Sequence, residues 1–302
     1  MVGFALSNLG GVQPGELPAS DELSLEDRWI LSRLQEVHVE ADAGYARYDW
    51  ALVVRSLRSF VWDELADWYL EAVKLRIYGG DPAAAGVARR VLASVIDHVL
   101  RLLHPVMPFV TETLWRALTG ASGGRESLMV APWPGAQAIL ADPQSVRQFE
   151  VIKDLVTEIN RFRSQNAIKP SARFPLTISS DEGPLLSAEA TLIGSLATLS
   201  EVVVVDDLDE RPGTSTIVFG AGRAQVELAG LIDVDAEVAR LEKERSRAED
   251  DLERVDGKLA NTGFVERAPA EVVERERAKR DEAARVIVQL GERLEALARL
   301  RG

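Results

Sequence analysis

Toward the end of the chain, mostly apolar positions recur at alternating steps of four and three. Val234, Val238, Leu241, Arg245, Ala248, Leu252, Val255 and Leu259 form one run, and Val273, Glu276, Arg280, Ala283, Ile287, Leu290, Leu294 and Leu297 form a second. A seam that repeats every 3.5 residues or so is the pattern of a coiled coil. The stretch between the runs holds Asn261, Gly263 and Pro269, so the pattern predicts one antiparallel helical hairpin. Each arm would be roughly 40 Å long at 1.5 Å rise per residue. Such a rod can reach toward a target, zip to a second chain or fold back on the body. The spacing leaves these open.

Upstream, the periodicity is that of a helical bundle. Residues 1–23 carry Gly10, Gly11, Pro14, Gly15 and Pro18 and read as a linker. Ser24 followed by Asp27 resembles a capping box, opening a helix that runs to about Ala43. A longer helix is predicted from Trp50 to Ile77 and a third from Pro82 to Leu103, with a short one through Phe109, Thr113 and Trp115. Helices with short connections and no strands between them make an α-bundle, placed at 24–142. The pattern changes after Ala131-Pro132-Trp133-Pro134. An amphipathic helix over Pro143–Ser164 precedes strand-like segments at Phe174–Ser179, Glu201–Asp206, Thr214–Phe219 and Ala224–Leu228, with a helix near Leu185–Leu196. Val202–Val205 is continuously β-branched and suits a strand buried on both faces. Residues 143–231 therefore read as a small mixed α/β subdomain and 232–302 as the coiled-coil arm. The fold class is mainly α.

Composition narrows the chemistry. The 302 residues contain no cysteine, which excludes disulfides and thiolate metal sites. His38, His98 and His104 are scattered without ligand spacing. No apolar run approaches the ~18 residues of a membrane span. A net charge of −13 disfavours general polyanion binding, but local basic strips still act within about 8–10 Å. No phosphate loop, nucleophile elbow or metal motif is present. Asp63, Glu64, Asp67 and Glu71 lie at helical spacing, where an ion-paired face is the simpler reading. No catalytic, cofactor or metal residue is assigned. What remains is binding. Trp62, Trp68 and Tyr69 alternate with Arg55, Arg58, Lys74 and Arg76 on the second helix, a pairing of ring faces and cations suited to unpaired RNA bases. The aromatics could equally be core. A second basic cluster is Arg161, Arg163, Lys169 and Arg173. Arg161 and Arg163 diverge by about 200° on a helix, so at most one of them faces a given phosphate.

At these segments the chain resembles a known family. Asp27 to Leu34 (DRWILSRL), Phe60 to Lys74 (FVWDELADWYLEAVK), Leu102 to Trp115 (LLHPVMPFVTETLW), Ala131 to Pro134 (APWP) and Ile159 to Pro170 (INRFRSQNAIKP) are similar to the anticodon-binding bundle of the valine, isoleucine and leucine group of class I aminoacyl-tRNA synthetases. Lys258 to Val273 (KLANTGFVERAPAEVV) is similar to the hairpin tip of the valine–tRNA ligase branch. Ala66 and Asn166 depart from the pattern, standing where cysteine and an acidic residue are usual. The resemblance implies a tRNA-binding portion whose partner is tRNA(Val), read at its anticodon by the bundle and touched at its outer corner by the arm. It adds Arg28 and Lys258 to the candidate RNA contacts. It further implies that ATP and Mg belong to a catalytic portion absent from this sequence, as is the editing domain, so that this chain alone is inactive. A cytoplasmic monomer that binds neither membrane nor DNA follows from the same resemblance. Two other readings stay open. One is a freestanding coiled-coil adaptor, for which Arg245, Glu276 and Arg280 in the seam leave room; the other is an enzyme with an unrecognised site.

Overall fold

In a computed structural model the described residues are 3, 7–120, 127–135, 141–166, 168–209, 213–227, 231, 234–261, 263 and 269–300. Helix α1 spans Leu25–Ala46. It is followed by α2 (Trp50–Ser59), a π-helical segment (Phe60–Tyr69) and α3 (Leu70–Ile77) as one continuous rod. The sequence predicted a plain α-helix there. In the structure residues 60–69 take the wider π turn, with i→i+5 hydrogen bonding, and bury Phe60, Val61, Leu65 and Tyr69. Helix α4 covers Pro82–Leu103 and α5 covers Pro108–Thr119, each with proline in its first turn, where the missing N–H costs nothing.

Helix α6, Pro143–Gln165, lies against α1. Phe149 is fully buried and stacks on Trp29 with ring centroids 4.1 Å apart. The boundary expected at 142/143 is therefore not a boundary in the core. One apolar cluster runs from Leu9 through the bundle and α6 into the sheet. The expected linker is likewise packed down: Leu9 is buried and Arg89 donates to the Asn8 carbonyl at 3.0 Å.

The mixed subdomain has the sheet order β2–β1–β4–β3, built from β1 (Pro175–Ser180), β2 (Glu201–Val205), β3 (Thr214–Phe219) and β4 (Gly222–Glu227). Strands β1 and β2 are parallel, joined by α7 (Gly183–Ala188) and α8 (Ala190–Leu196); the other pairings are antiparallel. Gly222 is required by close packing, since a Cβ there would sit 2.3 Å from the Ser179 carbonyl oxygen. Leu176, Ile178, Ile217, Phe219, Ala224 and Val226 form the buried face. The valine run of β2 is not buried on both faces as expected. It is an edge strand, and Val203 is 40% exposed.

The arm is the predicted helical pair, α9 (Val234–Ala260) packed along α10 (Ala270–Leu300). Leu241 and Leu290, with Val238, Val286 and Leu294, make a cluster distinct from that of the body. Val255 and Val273 are buried nearer the tip. The polar seam positions are filled within the hairpin. Glu276 is 7% exposed and meets Lys258 at 3.3 Å and Lys279 at 2.7 Å, and Arg280 meets Asp256 at 2.9 Å. Arg245 pairs with Glu249 on its own helix. Phe264 and Val265, expected at the tip, lie outside the described residues.

Candidate RNA-binding cleft

Several cations suggested by sequence make contacts within the fold. Arg76 grips Asp27 with two hydrogen bonds of 2.6 and 2.7 Å and meets Glu26 at 2.9 Å, and the buried Tyr69 hydroxyl donates to Asp27 at 2.7 Å. This network pins the start of α1 to the end of α3. Burial raises the pKa of Glu26, an effect the Arg76 charge opposes. Arg163 is 5% exposed and points inward, while its neighbour Arg161 points out and meets Glu158 at 3.0 Å. The expected divergence of the two is thus seen, and Arg163 is corrected from an RNA contact to an internal clamp. Arg28 joins α1 to Asp142 at 3.4 Å, and Lys258 braces the arm through Glu276. Lys169 is exposed beyond the end of α6.

The aromatic cluster on the second rod divides. Tyr69 belongs to the core and the partly buried Trp68 packs against it, whereas Trp62 is 57% exposed with the Arg58 guanidinium 5.9 Å from its ring centroid. Trp62 and Arg58 edge a groove of about 350 Å³ between the α2–π rod and α4–α5, lined almost wholly by apolar side chains such as Val54, Leu103, Met107 and Val110. Arg55 lies on another side of α2, near Glu40 and Glu64. The structure therefore does not gather Arg55, Lys74 and Trp62 into one site.

A second opening has different chemistry. Trp68, Asp67, Glu71 and Lys74 on the second rod, Val156 and Asn160 on α6, and Ser195, Leu196 and Thr198 around the end of α8 surround a cleft of about 380 Å³. Lys153 on α6 lies 5.6 and 5.7 Å from the Trp29 and Trp68 ring centroids. Lys74 meets Glu71 at 2.6 Å. This cleft offers an indole face, a carboxamide, two hydroxyls, two carboxylates and an ammonium. Of these, sequence reasoning selected Lys74, named Trp68 while leaving it open as core, and missed Asn160, Ser195 and Thr198. Polar residues divided between α6 and the end of α8 leave no periodic signal.

Nothing else among the described residues looks catalytic. No group of three or more metal-ligating side chains is gathered there. His38 and His98 touch at 2.6 Å between ring nitrogens, with Asp42 3.1 Å from His38. Burial first, then the neighbouring His38, holds His98 down to about 3. With His98 held neutral by burial, the touching rings form a structural contact between α1 and α4.

A helical bundle with a mixed-polarity cleft and a separate two-helix arm is the architecture of a tRNA-binding module. The family model described as anticodon-binding domain of tRNA ligase matches residues 27–178, about half of the chain, and the chain belongs to that family. Residues 233–298 match the model described as valyl tRNA synthetase tRNA binding arm. Valine–tRNA ligase of Nocardia farcinica is 40% identical over 298 residues, covering 97% of this chain and 32% of that protein. Those of Geobacillus kaustophilus and Streptomyces coelicolor are 36% and 38% identical, over 92% and 97% of this chain and 32% of each relative. The chain is thus the counterpart of the C-terminal tRNA-binding region of valine–tRNA ligase, and it spans about a third of the length of these curated relatives. No described helix is long and apolar enough to cross a membrane.

Proposed function

We propose that this chain binds tRNA(Val) for a valine–tRNA ligase and that its bundle reads the anticodon loop in the cleft between α3, α6 and the end of α8. The carrying observation is the lining of that cleft. Reading a splayed base needs donors and acceptors for its edge and a ring for its face. Asn160, Ser195, Thr198, Glu71 and Lys74 supply the first and Trp68 the second. The groove at Trp62 has almost no polar group with which to distinguish one base from another. The arm supplies a second contact, at the outer corner of the tRNA, where the exposed Arg254 and Arg277, each paired with a carboxylate one turn earlier, would meet phosphates. Among the body's cations, the exposed Arg55, Arg58, Arg161 and Lys169 serve the same purpose. Valine activation, with ATP and Mg, belongs to the two thirds of the relatives' length that this chain does not span. The seam of the arm is filled by its own two helices, which supports a monomer, and we place the protein in the cytoplasm with the rest of translation.

The test is binding of valine tRNA and an anticodon-swapped version to the purified chain at two salt concentrations. Affinity for both should fall steeply with salt, because phosphate contacts release counterions, while the preference for valine tRNA persists. Equal affinity for the two RNAs would contradict the reading. The same preparation should show no valine-dependent pyrophosphate exchange.

A further inference from the structure

Thr198 stands in a backbone conformation that its side chain disfavours. It follows the last residues of α8 with φ of +53°, in the left-handed region that penalises β-branched residues most. The surrounding hydrogen bonds define the reason. Leu199 N–H donates to the Gly194 carbonyl at 2.8 Å and Thr198 N–H to the Ser195 carbonyl at 3.4 Å, the two bonds that end a helix in a Schellman motif. The residue at this position is ordinarily glycine, which adopts positive φ without penalty. A threonine here is held against its preference.

What holds it is Arg163. Its guanidinium donates to the carbonyls of Ala197 and Thr198 at 2.8 and 2.9 Å, and to that of Ala172 at 2.8 Å, and it lies 4.3 Å from the Phe174 ring centroid. Every hydrogen bond it makes in the described structure goes to a backbone carbonyl rather than a carboxylate. A buried guanidinium answered only by backbone dipoles is an expensive way to fasten a turn. It fastens that turn to α6, the helix that also carries Asn160 into the cleft.

We infer that Thr198 is a specificity-determining residue for an unpaired nucleotide of the tRNA anticodon loop, and that Arg163 is the positioning residue that presents it. The inference rests on the cleft being the site of anticodon reading. A threonine at the lip gives a hydroxyl that both donates and accepts, suited to a base edge or a ribose 2′-hydroxyl. Glycine would make the same turn and give the RNA nothing. Residues held in strained backbone conformations cluster at binding and catalytic sites, where the side chain has a use beyond the fold.

The experiment compares three variants of the full chain by thermal unfolding and by the ratio of affinities for valine tRNA and an anticodon-swapped tRNA. Thr198→Gly should leave the unfolding temperature unchanged or higher. It should also lower the discrimination ratio by about fivefold, the worth of one hydrogen bond. Arg163→Lys, which cannot reach three carbonyls in the same fork, should lower the ratio to a similar extent even well below its unfolding temperature. Asn160→Ala tests the cleft itself. If Asn160→Ala lowers the ratio but Thr198→Gly keeps it at the wild-type value, the cleft reads the anticodon and the inference about Thr198 is wrong. If none of the three alters the ratio, the cleft assignment itself is overturned. A Thr198→Gly protein that unfolds at a lower temperature would also overturn the inference, since threonine would then be the structural choice.

Discussion

Asp27 is the carboxylate whose removal should cost the body most. It is fully buried, and it accepts from the Tyr69 hydroxyl at 2.7 Å, from both terminal nitrogens of Arg76 and from the Ser24 hydroxyl at 3.1 Å. Asp27→Ala leaves the Tyr69 hydroxyl without its acceptor inside the core. Arg76 keeps only Glu26, 2.9 Å from Nε. Breaking a buried ion pair from one side costs about 3–5 kcal/mol, and the retained Glu26 contact places the expected loss toward the lower end. For a body of this size each kcal/mol lowers the unfolding temperature by about 2–4 °C, so a fall of roughly 10 °C is expected for the body's transition. Asp27→Asn keeps one acceptor and should lose about half as much. Circular dichroism melts at neutral pH, with Tyr69→Phe as the partner in a double-mutant cycle, measure both the total and the coupling. A fall smaller than roughly 3 °C for Asp27→Ala would refute the claim that this network fastens α1 to α3. It would also reopen Arg76 as an RNA contact.

Deleting residues 234–302 should leave the thermal transition of the body unchanged, because the arm has its own apolar cluster; tRNA binding should weaken while anticodon preference survives, and an unweakened truncated protein would refute a reaching arm. His98 should make stability depend on pH in a defined window. Its folded value near 3 lies below the ordinary 6.5, so the unfolded chain binds a proton that the fold refuses, and stability falls as pH drops from 6.5 toward 3, by at most about 1.4 kcal/mol per unit. The raised Glu26 acts with the opposite sign, so the readout is the difference between wild type and His98→Gln, which keeps an N–H for His38. That difference should be flat above pH 6.5 and change below it; parallel curves would refute the assignment. Phe149→Ala, removing the ring stacked on Trp29, should cost about 3–5 kcal/mol and destabilise bundle and sheet together, in a single transition.

The helices were legible because their cores are periodic. The third helix from Pro82 to Leu103 carries its own start and stop signals, and the seam of the arm is visible as an alternation of fours and threes. The π segment was not legible, since its buried positions Phe60, Val61, Leu65 and Tyr69 fall at spacings that an ordinary α-helix also accommodates. The edge position of β2 was hidden for a related reason: Val202–Val205 has the composition of a central strand, and only the topology places it outside. The site was half legible. Trp68 and Lys74 fall within a recognisable motif, but Asn160, Ser195 and Thr198 become neighbours only when α6 and α8 close on the bundle. Arg163 misled because exposure cannot be read from charge alone. Its inward turn follows from the end of α6 meeting the carbonyls of a loop some thirty-five residues later.

A photoreactive base placed in the anticodon loop of valine tRNA, cross-linked to the chain and mapped by mass spectrometry, tests the central claim most directly. The account predicts adducts on Lys74, Asn160 or residues 195–198, lost on adding an excess of unmodified valine tRNA. Adducts confined to the groove beside Trp62, or to the arm, would contradict it.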